Sequence, residues 1–232
     1  MTISQAKAIF ISGWMTMLMK IVTPILSVIT LLTSAMAWQP SHADKPIAVS
    51  FTHNGRTVHG LLWGKGAYGV VLSHGAVYDA ASWAPLAADI ARNGMVALSL
   101  EDVEPDDIME ANSYLHEKHG VKAVALIGAS AGGSTAITAM SQTPQKWDQI
   151  ILLSSVGDVS GLGLAPKLFV ASEDEGMADA VRRMAKEAQG KQNEMLIFKG
   201  SAHAQAIFRT PNGPRLTSAI LERLIKRAQM VK

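Results

Sequence analysis

The apolar residues of this chain fall into short runs that alternate with segments of helical patterning. Predicted strands, each built around an apolar run, cover residues 69–73, 95–100, 121–128, 147–155, 167–172 and 194–199. Helix-like segments lie between or after them, over residues 82–92, 105–119, 131–141, 177–189 and 215–230. Continuous apolar runs are typical of strands buried on both faces. The alternation therefore predicts an α/β fold, a mainly parallel sheet with right-handed crossovers and helices on both faces.

The first two predicted strands are an exception to this alternation. Ile47–Thr52 and Thr57–Trp63 flank the tetrapeptide His-Asn-Gly-Arg56, and Asn-Gly between two β-rich runs is a strong signal for a tight turn. We therefore predict an N-terminal antiparallel hairpin that opens a single domain over residues 47–232. No insert is long enough for a cap domain, so we expect an open site rimmed by residues 77–83 and 156–166.

The N-terminal segment has the pattern of a secretory signal. Lys20 is the only charge between Ala8 and Ala37, and it precedes an apolar run that ends in Ala35-Met-Ala37. This pattern predicts a signal peptide over residues 1–37, followed by a polar linker over residues 38–46. A periplasmic or secreted protein with no stable membrane association is then expected. The alternative is an uncleaved anchor over residues 21–38, which is marginal in length and contains a proline.

Charge and cysteine content narrow the classes of partner. The chain has 21 basic and 19 acidic residues, and residues 1–37 hold two lysines and no acid. Without them the charges balance, so we expect no nucleic-acid partner. The absence of cysteine excludes a cysteine nucleophile. His116 and His119 close a predicted helix, whose C-terminus favours cationic side chains, so we expect no metal site there.

One motif carries chemistry. The buried run that begins at Val121 ends in Gly128-Ala-Ser-Ala-Gly132, and a run of small residues with helical character follows. A G-x-S-x-G sequence between a strand and a helix forces its serine into a sharp turn that presents the hydroxyl to substrate. The flanking glycines prevent collisions at that turn. Ser130 is therefore the candidate nucleophile.

A serine hydroxyl needs a base, and the base needs a third group to orient it. His203 is the only histidine that lies C-terminal to His119. Between Ser130 and His203, the predicted strand that starts at Lys167 ends in the acidic residues 173–175. The chain order is thus serine, acid, histidine, and each follows a strand, at the edge where open α/β sheets build their sites.

With these motifs the chain resembles the α/β-hydrolase superfamily, in its small, cap-poor esterase and dienelactone-hydrolase-like branch. The matching stretches lie between about Val70 and Phe208 and are residues 71–76, 128–132, 171–174 and 200–203. The resemblance implies Ser130 as nucleophile, His203 as general base and Asp174 as the orienting acid. Glu173 and Glu175 flank Asp174, and either is an alternative acid.

The resemblance also implies an oxyanion hole and a function. The backbone amides of Ala76 and Ala131 would face the negative charge that develops on the substrate carbonyl. Tyr78 and Trp83 are candidates for an apolar pocket wall, with ordinary packing as the alternative. The favoured hypothesis is a metal-free serine hydrolase of a small carboxylic ester or thioester, with no cofactor. The rival hypothesis is a non-catalytic binding protein on the same fold, and the short acidic loop 101–105 is the only feature that favours it.

Overall fold

The computed structural model describes residues 45–53 and 55–231. The predicted signal peptide and all but the last two residues of the predicted linker lie outside these ranges. Within them, no helix combines the length and the apolar character that crossing a bilayer requires.

Eight strands and five α-helices build the domain over the described ranges. The strands are β1 Ile47–His53, β2 Arg56–Gly64, β3 Tyr68–Ser73, β4 Val96–Leu100, β5 Ala123–Ala129, β6 Gln149–Leu153, β7 Lys167–Ser172 and β8 Asn193–Phe198. The helices are α1 Ala84–Arg92, α2 Pro105–His119, α3 Ala131–Gln142, α4 Ala178–Glu187 and α5 Gly213–Ala228. Short 3₁₀ helices cover Ala80–Trp83, Pro144–Lys146, Ser160–Leu162 and Ala204–Arg209.

The strands form one sheet in the order β1-β2-β4-β3-β5-β6-β7-β8. Strands β3 to β8 run parallel to one another, whereas β1 pairs antiparallel with β2, and β2 pairs antiparallel with β4. The predicted hairpin and mainly parallel sheet are therefore confirmed. The predicted bounds of α2 and β7 are those of the structure, because Pro105 begins the helix and left-handed Gly120 ends it.

Helices cover both faces of the sheet, as the continuous apolar runs predicted. Strand β3 shows why, since consecutive side chains point to opposite faces. Val71 belongs to the same buried cluster as Ile108 of α2, Ala136 of α3 and Val181 of α4. On the other face, Val70 and Leu72 share a buried cluster with residues of α1 and α5, among them Leu86, Ile90, Leu216 and Ile220. All the side chains of β3 are buried, so the strand needs the two helical layers.

The carboxyl ends of the parallel strands meet at one edge of the sheet. The segments that follow β3, β5, β6, β7 and β8 all leave from this edge, and they carry the residues of the candidate site. A cavity of about 920 Å³ lies at the opposite edge. It is lined by residues such as Pro144, Leu164 and Arg227 and by none of the predicted site residues.

Candidate active site

Ser130 occupies the sharp turn between β5 and α3. Its φ is 51° and its ψ is −120°, a conformation that residues with a side chain rarely adopt. The turn is held because the Ser130 N–H donates to the carbonyl of Leu153 at 2.9 Å. The Ser130 carbonyl in turn accepts from the N–H groups of Gly133 and Ser134, both at 3.0 Å. The predicted strand–turn–helix context of the serine is thus confirmed.

The glycines around Ser130 let α3 approach the sheet closely. A Cβ at Gly128 would lie 2.5 Å from the Cα of Gly133. A Cβ at Gly132 would collide with the carbonyl of His74, and one at Gly133 would collide with the hydroxyl of Ser155. Each of these positions therefore requires the absence of a side chain, which is the physical reason for the G-x-S-x-G-G sequence.

Ser130 and His203 lie within hydrogen-bond distance, as the sequence predicted. Nε2 of His203 is 2.8 Å from Oγ of Ser130. The other ring nitrogen, Nδ1, is 2.5 Å from Oε2 of Glu175. Because a carboxylate only accepts, Nδ1 carries the proton and Nε2 is free to accept the hydroxyl proton of Ser130. This is the tautomer that a histidine needs to act as a base toward a serine.

The carboxylate at His203 belongs to Glu175, so the expectation of Asp174 is corrected. The N–H of Glu173 donates to the Phe198 carbonyl and that of Asp174 to the Gly200 carbonyl, so the backbone continues along β8 for two residues. Both side chains face solvent. The chain then turns, with Gly176 at φ 85°, and the turn directs Glu175 back toward the histidine. The Glu175 side chain is only 1% exposed.

Two serines hold the Glu175 carboxylate, and sequence reasoning missed both. The Ser172 N–H and the Ser154 hydroxyl donate to Oε1, at 2.6 and 2.7 Å. The Ser154 hydroxyl also accepts from the N–H of Ala204, at 2.9 Å. Ser154 and Ala204 have φ values of 47° and 48°, so three of the site's backbone positions are left-handed without being glycine. A serine directly after a buried strand, at the site edge, was the available signal for Ser154.

The two residues with predicted oxyanion amides follow Ser130 and Gly75 in the chain. Ala131 begins α3, where a helix leaves N–H groups without intrahelical acceptors. Ala76 lies in a turn that the Tyr78 N–H closes on the Gly75 carbonyl at 2.9 Å. Within the described ranges neither amide has a hydrogen-bond acceptor, and both residues are exposed. The turn lies against the serine, since a Cβ at Gly75 would lie 3.5 Å from the Cβ of Ser130.

His74 is a buried residue whose ring supports the turn that carries Ala76. It is 7% exposed, its Nδ1 lies 2.9 Å from the Gly75 carbonyl and its Nε2 lies 2.9 Å from the Glu101 carbonyl. The short acidic loop after β4 thus supplies a carbonyl that anchors the turn beside the serine.

Tyr78 and Trp83 line one cavity of about 200 Å³. Trp83 is 1% exposed and packs edge-on against Phe208, so it is a core residue that also forms a cavity wall. Tyr78 is half-buried, and its ring carries the Arg209 guanidinium 5.6 Å from its centroid. A Cβ at Gly75 would touch both Tyr78 and Ser130, so the cavity begins across Gly75 from the serine. Contact of Tyr78 and Trp83 with substrate stays a prediction.

The two histidines near the end of α2 lie away from this site. His116 Nδ1 bonds the Val121 carbonyl, and His119 packs edge-on against Tyr114. Burial lowers the pKa of His119. Across residues 45–53 and 55–231, no group of three or more histidine or carboxylate side chains is placed to hold a metal ion.

Known proteins share this architecture. The prolyl oligopeptidase family model matches residues 93–189, a range that includes Ser130 and Glu175. No curated protein matches the chain by sequence.

Solved structures match most of the chain at low sequence identity. The monoacylglycerol lipase of Paleococcus ferrophilus is 16% identical with a TM-score of 0.63, over 73% of this chain and 99% of the lipase. The dienelactone hydrolase of Anabaena variabilis is 15% identical with a TM-score of 0.64, over 81% of this chain and 98% of that enzyme. The Pyrobaculum calidifontis esterase is 15% identical with a TM-score of 0.67, over 81% of this chain and 86% of the esterase. These likenesses confirm the fold class that the sequence predicted.

Proposed function

We propose that this α/β-hydrolase-fold protein is a serine hydrolase that cleaves a small carboxylic ester or thioester. The observation that carries the proposal is the hydrogen-bonded chain from Ser130 Oγ through His203 to Glu175, with distances of 2.8 and 2.5 Å. A serine, a neutral imidazole with a free Nε2 and a buried carboxylate are the three groups that nucleophilic acyl transfer needs.

The proposed reaction has two steps. His203 Nε2 takes the proton of Ser130 as Oγ attacks the substrate carbonyl carbon, and the carbonyl electrons move onto its oxygen. The amides of Ala76 and Ala131 donate to that oxygen while Glu175 stabilises the charged imidazole. The tetrahedral intermediate collapses, the alcohol or thiol leaves with the proton from His203, and an acyl-enzyme remains. Water activated by His203 then releases the acid and restores Ser130.

Ester substrates are favoured over peptides by the surroundings of the serine. The cavity across Gly75 holds about 200 Å³, enough for a small substituent. Structural neighbours with the same fold include esterases and lipases. The match to the prolyl oligopeptidase family names the peptide bond as the competing substrate.

The test is covalent labelling by a fluorophosphonate, with Ser130→Ala beside the wild type. Ser113→Ala is the matched control, because Ser113 lies on α2, away from the site, and its hydroxyl donates to the Met109 carbonyl. We expect labelling of the wild type and of Ser113→Ala and none of Ser130→Ala. Hydrolysis of p-nitrophenyl acetate should fall by about 10⁴-fold or more in Ser130→Ala.

Other outcomes separate the rivals. A wild-type protein that neither takes the label nor hydrolyses the ester would favour a binding protein on this fold. Labelling together with faster cleavage of a peptide anilide than of the ester would favour a peptidase. Labelling that survives in Ser130→Ala would remove Ser130 from the mechanism.

The export of the protein is a separate proposal, which rests on the sequence pattern of residues 1–37. N-terminal sequencing of the protein recovered from a bacterial periplasm tests it. A new N-terminus after Ala37 is expected, whereas an intact N-terminus in the membrane fraction would favour the anchor over residues 21–38.

A further inference from the structure

Gln205 joins three separate segments of the candidate active site. It lies two residues after His203 and is 4% exposed. Its Oε1 accepts from the N–H of Gly75 at 2.9 Å, and its Nε2 donates to the hydroxyl of Ser82 at 2.8 Å. One buried side chain thereby links the segment that carries the histidine to the turn that carries Ala76.

The orientation of Gly75 decides where the Ala76 N–H points. The Gly75 carbonyl and the Ala76 N–H belong to one trans peptide, so they point in opposite directions. That carbonyl faces the His74 ring and the Tyr78 N–H, both at 2.9 Å. The bond to Gln205 fixes the Gly75 N–H on its other side. Both polar groups of Gly75 are therefore held, which matters because a glycine backbone is otherwise the freest in the chain.

We propose that Gln205 is a positioning residue that keeps the oxyanion amide of Ala76 aligned with the nucleophile and the base. The inference rests on the proposed function and identifies a residue that orients its oxyanion hole. Gln205 itself does not touch the reacting atoms. Its side chain sets the turn of Gly75 at a fixed place relative to His203, so that the Ala76 N–H is preorganised before charge develops.

The test compares Gln205→Met, Gln205→Glu and the wild type. Methionine has a similar length, but its thioether sulfur is only a weak acceptor for the Gly75 N–H. The kcat for p-nitrophenyl acetate should therefore fall about 10- to 100-fold, as misalignment at a reacting centre does. KM should stay within about threefold, because the ground-state ester makes little use of the oxyanion hole. Glutamate keeps an oxygen for the Gly75 N–H, so Gln205→Glu should recover kcat to within about fivefold of the wild type.

A transition-state analogue gives a second readout. Ser130 Oγ adds to the carbonyl carbon of an alkyl trifluoromethyl ketone, the carbonyl electrons move onto its oxygen, and His203 takes the serine proton. The resulting oxyanion occupies the same hole as in the ester reaction. Its affinity should fall in Gln205→Met by the same factor as kcat/KM.

Gln149→Met is the matched control. Gln149 is also a buried glutamine, 0% exposed, but it begins β6 at the opposite edge of the sheet, where it bonds the Tyr68 hydroxyl at 2.8 Å. Its replacement should change thermal stability and leave kcat and analogue affinity unchanged. Should Gln205→Met not fold, Gln205→Asn replaces it, since an amide one carbon shorter cannot reach both Gly75 and Ser82.

The outcomes are distinct. A folded Gln205→Met with wild-type kcat and analogue affinity overturns this inference while the proposed function stands. An equal loss of kcat in Gln149→Met also overturns it, because the effect would then be one of general stability. A wild type that takes no fluorophosphonate label removes the proposed function and this inference with it.

Discussion

The carboxylate of Glu175 meets the ring of His203 from a turn rather than from a strand, with Oε2 2.5 Å from Nδ1. Its second oxygen accepts from the Ser172 N–H and from the hydroxyl of Ser154. The three bonds leave this carboxylate little freedom. Since its side chain is 1% exposed, water screens its charge weakly, and the carboxylate can stabilise a positive imidazole strongly.

Replacement of this carboxylate by an amide is the first prediction. Glu175→Gln keeps the shape but presents an uncharged group that can donate to His203 Nδ1 and so favour the wrong tautomer. We expect kcat/KM for p-nitrophenyl acetate to fall by about 10³- to 10⁴-fold, as in other serine hydrolases whose acid is amidated. Steady-state kinetics measure this loss of kcat/KM, on a variant whose fold has first been verified.

Asp174→Asn is the control for this change. Asp174 is exposed and its contact in the site region is a backbone bond to Gly200, which the substitution leaves intact. Its kcat/KM should stay within about twofold of the wild type, as surface substitutions away from specific contacts usually do. A large loss in Asp174→Asn with little loss in Glu175→Gln would reverse the assignment of the acid.

The hydroxyl of Ser154 is the subject of the second prediction. It donates to Glu175 and accepts from the Ala204 N–H, so it ties the acid to the segment that carries the base. Ser154→Ala removes both bonds and leaves the acid with two. A hydrogen bond to a charged group contributes about 1.5–3 kcal/mol, of which we expect about half to appear as a roughly tenfold loss in kcat/KM.

Ser113→Ala, on the surface of α2, again serves as the control and should keep wild-type kcat/KM. Thermal unfolding of both variants separates positioning from stability. A Ser154→Ala protein with an unchanged kcat/KM and a lowered midpoint would show that the hydroxyl contributes to folding alone.

The sequence predicted the sheet and the serine because both depend on local patterns. Continuous apolar runs need a covering layer on each face of the sheet. Gly128, Gly132 and Gly133 lie within three residues of Ser130, and their spacing indicates a turn at which the backbone packs closely. His203 could be predicted for another reason, since the chain has no other histidine beyond His119.

The acid and its supports depend on the path of a turn, which the local pattern does not encode. Three acidic residues follow β7, and which of them faces the base depends on how far the backbone continues beside β8. Ser154 and Gln205 acquire their roles through partners 21 and 130 residues away. Such long-range pairings appear only when the strand order is known.

The close approach of Gly133 to Ser155 gives the third prediction. A Cβ at residue 133 would collide with the hydroxyl of Ser155, whose Cβ would be 2.5 Å away. Gly133→Ala therefore requires α3 to move from the sheet, and overpacking of this kind costs about 1–3 kcal/mol. The shift would also displace Ala131 and Ser130, so kcat should fall together with the free energy of unfolding.

A double-mutant cycle tests this contact. Ser155→Gly removes the colliding atoms, so Gly133→Ala should cost less in that background than in the wild type. We expect an interaction free energy of about 1–3 kcal/mol from urea unfolding. Additive effects of the two substitutions would mean that Gly133 is needed for another reason than the proximity of Ser155.

The last prediction concerns Tyr68, the first residue of β3, which lies at the edge of the sheet opposite the candidate site. Its hydroxyl donates to Asp148 Oδ2 at 2.6 Å and accepts from Gln149 at 2.8 Å. Burial, and then the negative charge of Asp148, raise the pKa of Tyr68 well above its ordinary value. The folded state therefore holds this proton more tightly than the unfolded chain, so the stabilisation is complete below about pH 10 and is lost as the pH rises further.

Tyr68→Phe removes the hydroxyl and should lower the free energy of unfolding by about 1–2 kcal/mol at pH 8. Urea unfolding between pH 8 and pH 11 should show this difference staying constant up to about pH 10 and shrinking above it. The reason is that Tyr68 of the unfolded wild-type chain ionises above this pH, which favours unfolding of the wild type alone. Absorbance at 295 nm offers an independent measurement, since the folded wild type and Tyr68→Phe should show the same rise over this range. A larger rise in the wild type, or a stability difference that grows above pH 10, would mean that the Tyr68 hydroxyl ionises within the folded protein.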